Sequence, residues 1–168
     1  MRVLGIDPGY AIIGYGVVEC ESGHFSLTTC GRITTDAGTP FDRRLKIIFD
    51  DMCEIIRRFK PEQLSVEKLF FNSNQKTAID VAQARGVTLL PAIQAGVPIF
   101  EYTPLQVKSS IVGYGRAEKH QVQEMVKNML HLQDIIKPDD TADAVALAIT
   151  HGLSLGRRQL ERKNDLRQ

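Results

Sequence analysis

Residues 1–20 read MRVLGIDPGYAIIGYGVVEC. Val3 to Ile6 form an almost unbroken apolar run, the pattern of a strand buried on both faces. The run stops at Asp7, and Pro8-Gly9 follows as a turn signal. A second strand is expected over Ile12–Glu19, with Gly14 and Gly16 inside it. A carboxylate at the end of a buried strand needs a reason, since a charge taken out of water costs on the order of several kcal/mol unless something compensates it. A hydrogen-bonded turn, a basic partner or a metal ion would each do so. A lone Asp before Pro-Gly is ordinarily a turn residue, so the remainder of the chain has to decide.

Outward from this start, Phe25–Thr34 reads as a third strand, completing a short meander. The period then changes. Leu45, Ile48, Phe49, Met52, Ile55, Ile56 and Phe59 share one helical face, and this helix ends before Pro61. Gln63–Leu69 reads as a strand carrying Glu67. Gln75–Ala95 reads as a long helix bounded by Gly96, and Pro98–Tyr102 as a last short strand. Val122, Met125, Val126, Met129 and Leu130 mark an amphipathic helix. Asp139 to about Leu155 is an Ala-rich helix, followed by a basic, flexible tail over 156–168. Three strands followed by alternating helices and strands predict an α/β domain over 1–155, a mixed sheet with helices on both faces. Ligand chemistry in such sheets gathers at the carboxyl ends of the parallel strands.

Composition narrows the function classes. Of 168 residues, 43% are hydrophobic and 24% charged, and the net charge is +1. That balance suits a globular protein with a sizeable core and excludes a bulk polycation, so any nucleic-acid surface must be local. The three cysteines, Cys20, Cys30 and Cys53, are odd in number and lack CxxC spacing; they read as free thiols of a cytoplasmic protein. No apolar run reaches membrane-spanning length, and the first residues lack a signal-peptide pattern, so no membrane partner is expected.

The acids at predicted strand ends and helix starts carry the chemistry. Asp7 ends the first strand, Glu67 lies in LSVEKLFF, and Asp140 and Asp143 open the helix of PDDTADAVALAITH. Residues three apart share a helix face, so both can point one way. Each acid alone has an ordinary structural reading: Asp140 as an N-cap, Asp143 as a complement to the helix dipole, Glu67 as the partner of a surface lysine. Together they describe an oxygen-only cation site, better suited to Mg²⁺ or Mn²⁺ than to zinc. Two such ions about 4 Å apart are the usual clamp for hydrolysing a phosphodiester.

The stretches GIDPGY…GYGVVE, VEKLFF, QARGV, FEYTPLQVK, GRAEKHQV and DDTADAVALAITH resemble those of the RuvC-type Holliday-junction resolvases, in order, over about residues 1–152. The resemblance implies an RNase H-like fold with a five-stranded mixed sheet. It implies a homodimer that cuts four-way DNA junctions by paired symmetric nicks in homologous recombination and repair, with a branch-migration motor complex as partner on the junction. By the same resemblance, Asp7, Glu67, Asp140 and Asp143 are the catalytic acids and the ligands of two Mg²⁺ ions, replaceable by Mn²⁺, with Asp7 bridging them. The products implied are a 5′-phosphate and a 3′-hydroxyl. Asp139 is adjacent to Asp140 and could reach the same face; the resemblance selects Asp140 and leaves Asp139 as an N-cap.

Substrate binding then has to come from local basicity. Lys68, Lys76, Arg85, Lys108, Arg116, Lys119 and His120 flank the acidic motifs, and Lys108 and Lys119 match functional lysines of the family. Lys119 is expected beside a helix start, where backbone N–H groups favour phosphate. Any one of these is ordinarily a solvated surface charge, and the basic tail could be a frayed end or an auxiliary contact. In the pair Phe70-Phe71, the family places a junction-probing aromatic at Phe70, and two core phenylalanines are the alternative. Ala78, Ala82 and Gly86 recur at four-residue spacing, a row that admits a close helix neighbour, either within the domain or across the dimer that the resemblance implies. Two other classes stay open. The strand–DxG–strand opening also resembles the phosphate loop of actin-like ATPases and sugar kinases, which need two such domains where this chain has room for one. A non-catalytic junction-binding scaffold is the other, and the complete acidic set argues against it.

Overall fold

A computed structural model describes residues 1–21, 23–68 and 75–165, with the backbone alone described at 75–77 and 157–165. Five strands form one sheet in the order β3-β2-β1-β4-β5. β1 (Arg2–Asp7), β2 (Ile12–Glu21) and β3 (His24–Thr34) make the antiparallel meander, while β4 (Gln63–Glu67) and β5 (Ile99–Tyr102) lie parallel to β1. The expected mixed sheet is therefore present.

Alternate side chains of β1 divide the core. Leu4 and Ile6 join Val17, Leu64 and Val66 beneath α1 (Phe41–Phe59) and α2 (Gln75–Gln94). Val3 and Val18 join the opposite layer of α3 (Pro104–Ile111), α4 (Lys119–Met129) and α5 (Asp139–Asp165). Each fully buried Leu, Ile or Val contributes about 1.5–3 kcal/mol. The frame therefore has reserve enough to hold an unfavourable acid at the end of β1. Helix α1 buries Ile48, Met52, Ile55 and Ile56 and stops at Lys60, which turns into the left-handed region (φ 47°) just before Pro61.

Helix α3 and the ends of α5 and β4 depart most from what periodicity predicts. Helix α3 is absent from the periodic pattern. Its signal is local: Thr103 Oγ1 accepts from the Gln106 N–H (3.1 Å), Gln106 Oε1 accepts from the Thr103 N–H (2.8 Å), and Pro104 occupies the first turn. The last helix continues past Leu155 to Asp165. Strand β4 is described to Glu67 rather than Leu69; residues 69–74, including Phe70 and Phe71, lie outside the described residues. Cys20, Cys30 and Cys53 are free thiols, and among the described residues no helix is long and apolar enough to cross a membrane.

Candidate active site

The parallel pairing of β1 with β4 runs through Ile6 and Val66, so the next residues, Asp7 and Glu67, emerge side by side at the same sheet edge. Helix α5 supplies Asp140 and Asp143. It approaches closely because the sheet presents glycine beneath it. A Cβ at Gly5 would lie 1.9 Å from the Ala144 carbonyl oxygen, and one at Gly14, the strand partner of Asp7, 1.9 Å from that of Asp140. The small side chains Ala142, Ala144 and Ala148 complete the fit and are buried.

Asp7 is the electrostatic centre of this edge. Burial, then the charges of Glu67, Asp143 and Asp140, push its carboxyl from 3.8 up to about 7, with Lys119 pulling the other way. Glu67 is raised by burial and then by Asp143. Asp143 is raised by burial, against the hydrogen bond and charge of Lys119. Four acids and one opposing cation form a basin short of positive charge. The donors are all oxygens, the set that Mg²⁺ and Mn²⁺ take. Among the described residues, no three His, Cys, Asp or Glu side chains are already gathered into a metal-holding cluster. The chemistry of these residues fits divalent cations.

Lys119 is the internal counter-charge. Its Nζ lies 2.9 Å from Asp143 Oδ2 and 3.2 Å from Asp139 Oδ2. Burial pulls its ammonium down, but pairing with Asp143 and Asp139 outweighs that and raises it overall. Asp139 is not the expected N-cap. It is the first residue of α5, and it is exposed and held by Lys119 and by Gln123 Nε2 (3.0 Å). Pro138 precedes it, and the Pro138 carbonyl accepts the N–H groups of Thr141 (3.1 Å) and Ala142 (3.2 Å). Lys119 does begin a helix, and Glu118 and Gln121 form a capping box at its start.

Glu67, Asp143, Lys108 and Lys119 line one cleft over an apolar floor of Val107, Val122 and Leu147. Arg116 is exposed on the loop between α3 and α4. Arg85 is engaged elsewhere: its guanidinium pairs with Glu101 of β5, and its buried Nε has no hydrogen-bond partner among the described residues. The side chain of Lys76 lies outside the described residues. On α2, Ala78 is half-buried while Ala82 and Gly86 are exposed, and Ile79, Leu90 and Ile93 extend the exposed row.

Two supports of the site are basic residues not singled out in the sequence, Arg44 outside the quoted motifs and His151 at the end of DDTADAVALAITH. Arg44 is buried under the loop that follows Asp7: Nε donates to Thr35 Oγ1 (2.8 Å), Nη2 to the Tyr10 carbonyl (3.3 Å), and the guanidinium lies 4.8 Å from the Tyr10 ring centroid. His151 is fully buried between Gln63 and Tyr102, with Nδ1 2.7 Å from Tyr102 Oη; it ties α5 to β4 and β5. No sequence pattern marks Arg44, and the motif that ends on His151 does not show what that side chain bonds. The glycines did carry a signal, since Gly inside a strand marks close backbone approach.

The family model described as Crossover junction endodeoxyribonuclease RuvC matches residues 3–151. The chain belongs to the RuvC family. A Crossover junction endodeoxyribonuclease RuvC from Ruminiclostridium cellulolyticum is 54% identical over 154 residues, covering 92% of this chain and 93% of that protein. The Thermus thermophilus RuvC structure superposes with a TM-score of 0.87 at 37% identity, covering 92% of this chain and 95% of that one. Thermus thermophilus RuvC in complex with Holliday junction substrate gives 0.85 at 35%, with coverage of 92% and 95%. The RNase H-like fold expected from the sequence is the fold of this chain.

Proposed function

We infer that this RuvC-family chain is a structure-selective endonuclease that resolves four-way DNA junctions by paired, symmetric phosphodiester hydrolysis in recombination and repair. The observation that carries the reading is the coupling of Asp7 to Glu67, Asp143 and Asp140 at the carboxyl end of the parallel strands. Asp7, Glu67, Asp140 and Asp143 would hold the divalent cations, two Mg²⁺ per site with Mn²⁺ as a substitute. When bound, such ions neutralise charge at the phosphodiester and lower the pKa of an attacking water. Asp7, set between the acids of β4 and α5, is the residue suited to bridging.

The protein's own cations handle the substrate. Lys119, paired with Asp143 and Asp139 on this cleft, would be placed to meet a DNA phosphate there. Lys108 on the same cleft and Arg116 on the rim add phosphate contacts, making binding salt-sensitive. Phe70 and Lys76 belong to the same expected DNA surface. Arg85 joins it only by leaving Glu101. The products are a 5′-phosphate and a 3′-hydroxyl. The chain acts as a homodimer through α2, in the cytoplasm, together with a branch-migration motor, and residues 1–155 form the nuclease domain.

The test is an end-labelled synthetic four-way junction incubated with Mg²⁺, beside the linear duplex of the same sequence. Symmetric cuts in opposed strands, resealable by ligase and abolished by EDTA, are expected. Equal cutting of duplex and junction, or ATP hydrolysis without any cutting, overturns the reading.

A further inference from the structure

The loop between α3 and α4, Val112–Glu118, leaves two large apolar side chains in the open beside the cleft. Tyr114 is 47% exposed and Leu105, one residue after the cleft-wall residue Pro104, is 63% exposed. They belong to one surface. Leu105 packs over Gly115, where a Cβ would meet Leu105 Cγ at 2.8 Å, so the residue next to Tyr114 must be glycine for Leu105 to lie there. Gly113, on the other side of Tyr114, sits at φ +97°, a conformation that L side chains rarely adopt. The ring is not loose. Tyr114 Oη donates to Gln121 Oε1 (2.8 Å), and the same oxygen accepts the Glu118 N–H (2.8 Å) in the capping box that opens α4. The next residue after Glu118 is Lys119, bonded to Asp143. An aromatic residue is thus pinned at its polar end, about half exposed, and joined through a single side chain to the helix start that carries the cation of the acidic basin.

Lys108 and Lys119 line the cleft, Lys119 at the start of the helix to which Tyr114 is bonded, and Arg116 follows Tyr114 by two residues in the exposed loop. An anchored, exposed ring on the same element as phosphate-binding cations is an arrangement that can hold a nucleobase while its backbone phosphates are held by the cations. A protein partner would more often meet a contiguous apolar patch with its charges excluded from the centre. We propose that Tyr114, flanked by Leu105, is a stacking platform for an unpaired or splayed base of the junction strand that enters the acidic cleft. This rests on the reading of the chain as a junction-cutting nuclease. It adds to that reading a contact to a base, where the cations offer contacts to phosphate only.

The experiment measures the affinity of the metal-free protein, in EDTA, for four-way junctions in which single nucleotides around the crossover are replaced one at a time by abasic sites. For the wild type, one position near the crossover is expected to lose affinity by about ten-fold when its base is removed, within the range measured for single base–aromatic stacks. Tyr114→Ala is expected to weaken binding of the intact junction by a similar factor and to be insensitive to that same abasic site. Tyr114→Phe keeps the ring, loses the Gln121 bond, and should bind within about two-fold of wild type. An unchanged affinity for Tyr114→Ala overturns the platform and leaves the surface to a protein partner. A loss in Tyr114→Phe as large as in Tyr114→Ala also overturns it, assigning the effect to the Gln121 bond. So does equal sensitivity of Tyr114→Ala and wild type to every abasic position. If the wild type itself does not prefer the junction to duplex, the functional reading has failed; if it does and the variants fail these criteria, the stack alone has.

Discussion

Asp7 binds its proton far more tightly in the folded chain than in the unfolded one, about 7 against 3.8. Below about pH 4 both states are protonated and the native state is not penalised. As the pH rises toward and through 7, the unfolded state ionises first, and the stabilising protonation is lost. Asp7→Asn should therefore stabilise the metal-free protein at pH 8 by about 2–4 kcal/mol, since each tenfold difference in proton affinity between the two states is worth about 1.4 kcal/mol and relaxation of the site recovers part of it. The gap should narrow as the pH falls, close near pH 4, and shrink on adding Mg²⁺ to the wild type. Thermal melts in EDTA and in Mg²⁺ measure it, and a variant no more stable than wild type at pH 8 would remove the case for a strained acid. The same variant should not cleave. The neighbouring pair separates by environment: both act on Asp143, but only Asp140 acts on Asp7, and Asp139 is exposed and tied to Lys119 and Gln123. Asp140→Asn should lose at least a hundred-fold in cleavage rate and Asp139→Asn no more than a few-fold. Parallel rate measurements with the order reversed would move the assignment by one residue.

At the scale of elements, the site depends on how closely α5 lies on the sheet. Gly14→Ala places a methyl against the Asp140 backbone, where nothing can yield except the helix start itself. Overpacking of this kind costs about 1–3 kcal/mol, and here the displaced turn carries two of the four acids. The expectation is a folded protein, lower in melting temperature by several degrees, whose cleavage rate falls ten-fold or more at saturating junction while junction affinity stays near wild type. An unchanged rate in a folded variant would mean that the acids tolerate the shift. Helix α3 matters in the same way, since Pro104 and Lys108 form one wall of the cleft. The T-P-L-Q box that starts it is a helix-start signal, but its eight residues are too short for a clear apolar period, so periodicity misses it.

The whole molecule offers one surface suited to a second copy. Along α2 the exposed face runs through Ile79, Ala82, Gly86, Leu90 and Ile93, apolar or small at every turn, and nothing in the described chain lies within 4 Å of a Cβ at Gly86. A four-way junction has two-fold symmetry, and a two-fold dimer presents two identical sites to it. Ala82→Arg should give a folded monomer by light scattering. On a supercoiled cruciform plasmid, paired nicks within one binding event give linear DNA and single nicks give open circles. The variant should yield circles. Linear product appearing first from a monomer would refute the need for two copies.

What the amino-acid order determined by itself was periodicity and punctuation. The apolar run into Asp7, the change from strand to helix period after Thr34, and the acids opening an Ala-rich helix are short-range patterns. They were enough to predict the mixed sheet with helices on both faces and to single out Asp7, Glu67, Asp140 and Asp143 as candidates. What only the tertiary structure decided were partners far apart in sequence: Lys119 on Asp143 and Asp139, Arg85 on Glu101, Arg44 under Tyr10, His151 between Gln63 and Tyr102. Periodicity specifies which face of an element is apolar, because burial acts on each residue separately. It does not specify which polar group of one element will face which group of another. That choice is made by packing, here by the two glycines that let α5 settle onto the sheet. The charge at Asp7 is accordingly visible in the sequence, and the reason the fold can hold it there is visible only in three dimensions.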